Sequence, residues 1–384
     1  MTRSTRWLPL VLAVALVGLT LGVAACGGDD EEEAAAPPAA TEAAATPEPA
    51  PAPEPAPEPA PAELNTEDVG PTKDIIPEGD TVEVAFFTVA GNTYLESSTE
   101  EMQKVADAHN ANLTLIDNGF DPQKQYNNIQ DAITTGKYDA FIITALDTTG
   151  VVPAVEEAIA AGIKVVATDT PIGPDPTTTE LQVEGLSGSI LRPGSFIAED
   201  QRDIILEKCA GKDPCVVVWI PGILATVFDQ ALKKIFDEMA ASNPSIKFIV
   251  GPEGGYLSDP AFTAMQDILQ ANDRIDIVAS ADQMILGAEK AIEDAGRTGE
   301  MLLIGGGASE PAVAAVAEGR WNATPTFVPR DEGREAMEMA IIAARGGTID
   351  DPSRFSLDYT SAPRVISEDN KAEWEGTFTG QWKG

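Results

Sequence analysis

The stretch "FFTVAGNTYLESSTEEMQK", Phe86 to Lys104, carries an apolar β-like run through a short loop into a helical segment. A loop in that place wraps a phosphate when it is glycine-rich, because its bare amides converge on the anion. Here it offers Asn92, Thr93 and Tyr94, so an amide and an aromatic ring stand where a phosphate nest would be. Other residues with chemistry are sparse. His109, the one histidine, closes a helical pattern in "VADAHNANL", which favours a surface place near a helix end. A single histidine excludes a His-rich zinc site, and any Ser–His–Asp triad would have to be built on it. The chain has no P-loop and no HExxH, and "GGGASE" fails at the third glycine of a dinucleotide loop. An enzyme is not expected, nor a cofactor or a metal.

Three cysteines remain, and their positions differ in meaning. "MTRSTRWLPLVLAVALVGLTLGVAACGG" has a basic start, an apolar run, and small residues before Cys26, the layout of a secretory signal. A membrane-spanning anchor is the alternative, since the run approaches spanning length. The ending "VAAC" resembles the bacterial lipobox, which implies cleavage after residue 25 and acylation of the Cys26 thiol. No basic residue follows the run, only "DDEEE". Residues 26–79 then read as a lipidated cysteine and a linker. From Pro47 to Pro61 every second residue is proline, which forbids helix and leaves extended polyproline II. That stretch spans roughly 45 Å. Cys209 and Cys215, in "EKCAGKDPCVVV", would be free thiols or half a metal site in a reducing compartment. After export they read as a disulfide pinning a helix end to the next strand.

The chain has 384 residues and a formal charge of −37. Residues 64–384 keep 52 acidic and 23 basic side chains, a formal −29. Such a field repels nucleic acid and anionic membranes, so contact with a membrane is expected only through the lipid. Beyond Thr81, short apolar bursts recur at "VEVAFF", "LTLI", "AFIIT", "KVVAT", "CVVVWI", "KFIV", "DIVA" and "MLLIG". Their unbroken apolarity suits strands buried on both faces of a parallel sheet. Helical stripes separate them: Tyr126, Ile129, Ile133; Val151, Val152, Val155, Ile159; and Val227, Ala231, Ile235, Phe236, Met239. The expected class is α/β, two doubly wound Rossmann-like domains with parallel sheets, their facing halves forming a cleft at the carboxyl ends of the strands. "DTPIGPDPTTTELQVEGLSGS" breaks the rhythm and reads as an interdomain crossing.

The order "VAFFTVAGNTYLESSTEEMQKVADAHNANLTLID", "DAFIITALDTTGVVPAVEEAIAAGIKVVATD" and "IVASADQMILGAEKAIEDAG" resembles type I periplasmic binding proteins, the ribose- and galactose-binding group above all. The resemblance covers about residues 80–350. It implies two lobes joined by three hinge crossings, 80–183 with 328–352 and 184–327 with 353–384. It also implies a monomer outside the cell membrane that closes over a small solute and delivers it to an ABC permease. The family's Asn-x-aromatic matches Asn92 and Tyr94, an amide for a ring hydroxyl and a platform for a sugar's C–H face. The family's aspartate after the fourth strand matches Asp169, able to accept two hydroxyl bonds. Helix entry for Asn92 and capping for Asp169 are the plainer alternatives, and Asp147 reads as a cap.

In the second half the resemblance departs from the family's pattern. Gln230 stands where an arginine is expected, and Ala281 replaces the asparagine of the "xND" turn, with Asp282 keeping the next place. Gly305–Gly307 replace a G-aromatic-Asp, Phe327 takes the place of a late glutamine, and Tyr256 fills an aromatic position. A buried hydroxyl without a partner costs roughly 1–3 kcal/mol, so these losses argue against a standard pentose or hexose. A neutral or cationic solute with one polar and one apolar face is expected instead. A sensory receptor of the same fold is the alternative role. A sugar-responsive repressor would need a helix-turn-helix where this chain has its signal and acidic linker.

Overall fold

A computed structural model describes residues 76–384. The signal, Cys26 and the proline-rich tether fall outside the described residues. The order begins β1 (Val82–Thr88), α1 (Thr93–Ala108), β2 (Ala111–Asp117), α2 (Pro122–Thr135), β3 (Ala140–Ile143), α3 (Val152–Ala160), β4 (Lys164–Asp169) and β5 (Gly188–Leu191). It continues with α4 (Gly194–Cys209), β6 (Cys215–Trp219), α5 (Val227–Ser242), β7 (Ile246–Val250), α6 (Ser258–Ala271), β8 (Ile277–Ala279), α7 (Asp282–Asp294), β9 (Leu302–Ile304), α8 (Glu310–Ala317) and β10 (Ala323–Pro325). Last come α9 (Pro329–Ala344), β11 (Ser353–Phe355), a 3-10 turn (Ser356–Tyr359), β12 (Val365–Ser367) and α10 (Lys371–Trp374).

The strands form two six-stranded sheets, β11-β5-β4-β3-β1-β2 and β12-β10-β9-β8-β6-β7. All pairings are parallel except β12 with β10. All eight apolar bursts lie on strands, β1–β4 and β6–β9, because continuous Val, Ile and Phe can be covered on both faces by helices. Phe86 and Ile142, paired in register on β1 and β3, are fully buried. The helices start where side chains satisfy their free amides. Asp121 accepts from Gln123 and Lys124 at 2.9 and 3.0 Å, and Thr226 accepts from Asp229 at 3.3 Å. α9 packs against α1 at Gly333, where a Cβ would fall 2.2 Å from the Ser98 carbonyl oxygen.

Two expectations need correction. The irregular segment after β4 is not a crossing: Ile172, Val183 and Leu186 join the first core, and β5 pairs with β4. β5 and β11 both lie in the first sheet, although the expected lobe boundaries put 184–191 and 353–355 in the second lobe. Apolar packing holds the loop down, so the chain leaves the first lobe only at Arg192–Pro193. The other crossings are Phe327–Val328 and the segment 356–364. Side chains bolt the three together. The Arg192 guanidinium donates to the Thr326 carbonyl at 3.2 Å and to Asp200 at 2.9 Å, and Arg364 donates to Asp200 at 2.7 Å.

Cys209 and Cys215 form a disulfide with a Cα–Cα distance of 5.6 Å, joining the end of α4 to the start of β6. By loop entropy such a short bridge contributes about 2 kcal/mol. His109 caps the end of α1, and the Asp147 carboxylate accepts from the Thr149 and Gly150 amides at 3.1 and 2.8 Å in the turn before α3.

Candidate functional site

The carboxyl ends of β1, β3 and β4 face those of β6, β8 and β9 across a cavity of about 130 Å³. Asn92 reaches it from the start of α1. Its side-chain oxygen caps the helix, accepting from the Leu95 amide at 3.1 Å, so helix entry and cavity lining fall on one residue. Two residues on, Tyr94 enters the cavity. Its hydroxyl bonds to Glu332, on the first turn of α9 behind it, and lies 3.4 Å from Asp169 Oδ1. Asp169 ends β4 with φ +64°, a left-handed backbone that aspartate tolerates better than most residues.

Three acidic groups are thereby crowded together. Burial pushes the Tyr94 hydroxyl well above its ordinary pKa, and the charges of Asp169 and Glu332 push it further. Burial first, then the Glu332 charge, holds the Asp169 carboxyl well above the usual carboxylate range. Glu332 is raised to about 7, chiefly by burial, against the hydrogen bond from Tyr94, the nearby Ser356 hydroxyl and the Arg192 charge.

The second lobe supplies a matching pair. Tyr256 donates to Asp229 at 2.5 Å, and Asp229 also accepts from the Gly222 and Ile223 amides at 2.9 and 2.8 Å. The Phe120 ring, carried by the first lobe, stacks on Tyr256 at 5.9 Å and 18°. That contact spans the cleft. Tyr94 meets Phe327 edge-on at 5.3 Å and Trp382 at 5.9 Å. Trp382 comes from the segment 376–384, which returns over the cleft, and its indole donates to the Gly307 carbonyl at 2.9 Å. A Cβ on Gly307, whose φ is +147°, would strike this ring at 2.3 Å.

Of the sequence-predicted residues, Asn92, Tyr94, Asp169, Tyr256 and Phe327 line the cavity. Gln230 does not. It is exposed on α5, its amide 3.4 Å from the Ala225 carbonyl, and the residue before it, Asp229, faces inward. The Thr226 cap fixes that phase, since T-x-x-D is a capping pattern that puts Asp229 under the turn. Asp282 is also displaced from the expected role. Fully buried, it accepts from the Gly306 and Ser309 amides at 2.8 and 2.7 Å and from the Thr324 hydroxyl at 2.8 Å, so it braces loops while Ala281 and Gln283 line the cavity. Sequence reasoning missed Gln201, Gln283, Glu332, Phe120 and Trp382. The first turn of α9 could have flagged Glu332; nothing local marks Trp382. Among the described residues no group of three or more His, Cys, Asp or Glu is placed to hold a metal.

Comparison with known proteins gives three kinds of likeness. The family described as "Periplasmic binding protein domain" matches residues 84–348. The ribose import binding protein of Bacillus subtilis (strain 168) is 26% identical over 250 residues, 65% of this chain and 77% of that protein. A solved ABC transporter solute-binding protein from Mycobacterium smegmatis, with bound glycerol, superposes with a TM-score of 0.65 at 26% identity, covering 78% of this chain and 99% of that one. The fructose-binding periplasmic domain of a hybrid two-component system, 20% identical, shares the fold with a TM-score of 0.63 over 76% of this chain and 92% of its own. The matched relatives are solute-binding proteins, not enzymes.

Proposed function

The chain belongs to the periplasmic binding protein domain family, and on that premise we propose that it captures a small sugar-like solute between its lobes and delivers it to an ABC permease. The observation that carries the reading is the cavity itself: polar groups Asn92, Tyr94 and Asp169 on one side, and Tyr256, Phe327 and Trp382 as aromatic walls. An amide and a carboxyl can hold hydroxyl or amine groups, while ring faces take the apolar face of the solute. Closure would turn on the three crossings that Arg192, Asp200 and Arg364 tie together. The Phe120–Tyr256 stack would close the mouth. Acylation of Cys26 would hold the protein at the outer face of the cell membrane, with the proline-rich segment as its spacer.

The departures at Phe327, Ala281 and Gly307 favour a solute with one polar and one apolar face. Free glucose, ribose and galactose are therefore expected to bind poorly, and the true solute to shrink the radius of gyration as the lobes close. Calorimetry and solution scattering check both. Sub-micromolar affinity for any of the three sugars would overturn the pocket reading, and an unchanged radius with a tight solute would overturn closure. Sensing is the second reading, supported by the shared fold of a two-component receptor domain. Uptake of labelled solute that persists without the cognate permease would favour it.

A further inference from the structure

Building on the capture reading, we propose that the solute carries an ammonium group, seated on the Asp169 carboxylate, and an apolar or ring-shaped body held by the aromatic walls.

The cavity lining contains Asp169 and Asp229 but no lysine, arginine or histidine. Asp229 is spent on Tyr256 and two backbone amides. Asp169 is not: among the described residues its carboxylate has one protein donor, the Tyr94 hydroxyl at 3.4 Å, and that hydroxyl is shared with Glu332. The nearby guanidinium groups donate to other residues, Arg192 to Asp200 and the Thr326 carbonyl and Arg364 to Asp200, and neither donates to Asp169. Two guanidinium groups thus face three carboxyls, Asp200, Glu332 and Asp169, and one negative charge stays uncompensated. A sugar hydroxyl can donate to that charge without neutralising it. An ammonium does both.

Independent atoms point the same way. Among the described residues Gln201 Oε1, Gln283 Oε1 and Thr144 Oγ1 are buried without a partner, on residues 1%, 8% and 7% exposed, and all three residues line the cavity. Each oxygen can accept a hydrogen bond. The two glutamine oxygens can only accept, so they favour a solute that brings donors, and the Thr144 hydroxyl suits either kind of group. The aromatic rings of Tyr94, Phe327 and Trp382 add a cation-favouring wall. An anionic solute would meet Asp169 with no cation to offset it.

Without a solute, a proton is the remaining way to neutralise the pair. Burial favours this, since both carboxyls sit above their ordinary range and Glu332 reaches about 7. The groups facing them are Tyr94 from α1, Asp331 from α9, Arg192 from the first crossing, Ser356 from the third and Tyr256 from the second lobe. An ammonium must displace that proton, so its affinity should rise with pH across the range in which the pair loses it. A neutral solute should show no such slope.

The test uses matched probes on the purified protein: glucosamine against glucose, and tyramine against 4-ethylphenol. Calorimetry in buffers of different ionisation enthalpy reads affinity and proton release together. Expected are tighter binding of each amine than its neutral twin, proton release only with the amine, and loss of the difference in Asp169→Asn. Asparagine accepts the left-handed backbone and keeps the side-chain shape, and thermal unfolding verifies that the variant folds. A neutral twin binding as well as its amine, or an amine binding without pH slope, overturns the inference and leaves solute capture standing. A broad panel of amines and polyols with no binder at all overturns both.

Discussion

Asn92, Tyr94 and Glu332 show how little a residue's type says about its burden. Tyr94 is a cavity wall by its ring and a tether by its hydroxyl, which bonds to a glutamate 238 positions away. Glu332 is raised to about 7 in the folded protein, against an unfolded value near 4.5. The folded state therefore binds more protons between those values, and solute-free stability should rise as pH falls from about 7 toward 4.5. Glu332→Gln still accepts from Tyr94 but cannot titrate, so it should flatten that part of the profile. Chemical denaturation at several pH values checks this, and an unchanged slope in the variant would place the titration elsewhere.

At the scale of the element, the start of α1 carries both stability and recognition, and the two can be separated. Asn92 caps the helix through its oxygen and leaves its NH2 group free for the cavity. Asn92→Ala should cost about 1 kcal/mol of stability, the usual worth of a cap. Asn92→Ser keeps a capping oxygen, withdraws the NH2 group from the cavity without adding charge, and should lose solute affinity with little loss of stability. Thermal melts read with calorimetry distinguish these outcomes; equal affinity in the Ser variant would mean that Asn92 is a cap alone. α5 shows how an element decides a site. The capping threonine and the helical period turn Asp229 inward and Gln230 to solvent. That information was in the residues, one position from where the family pattern pointed.

For the whole molecule, the segment 376–384 is the least expected feature. Gln381 holds Asp331 at the start of α9, the Trp382 carbonyl accepts from the Glu310 amide at 2.8 Å, and the Gly384 carbonyl accepts from the Thr93 hydroxyl at 3.2 Å. It thus touches α8 in one lobe and α1 in the other. Trp382→Ala should weaken solute binding by tenfold or more and speed amide exchange at Glu310, whereas Lys383→Ala, which removes an exposed ion pair, should do neither. Exchange measured by mass spectrometry, beside calorimetry, checks both variants.

The apolar bursts by themselves determined eight strands and the parallel α/β class, because a strand buried on both faces must be apolar throughout. The "EKCAGKDPC" turn likewise prefigured the disulfide, since a sequence separation of 6 from a helix end to a strand start leaves the two thiols close. The short strands β5 and β11 were not legible: each pairs with a distant segment, and their few residues carry no period to read. Nor was the company Tyr94 keeps. Glu332, Asp169 and Trp382 are far from it in sequence, and only the fold brings their side chains to one point. Local pattern is set by which face of an element must be buried. The charge balance of the cleft is set by which elements meet there, and that the tertiary structure alone decides.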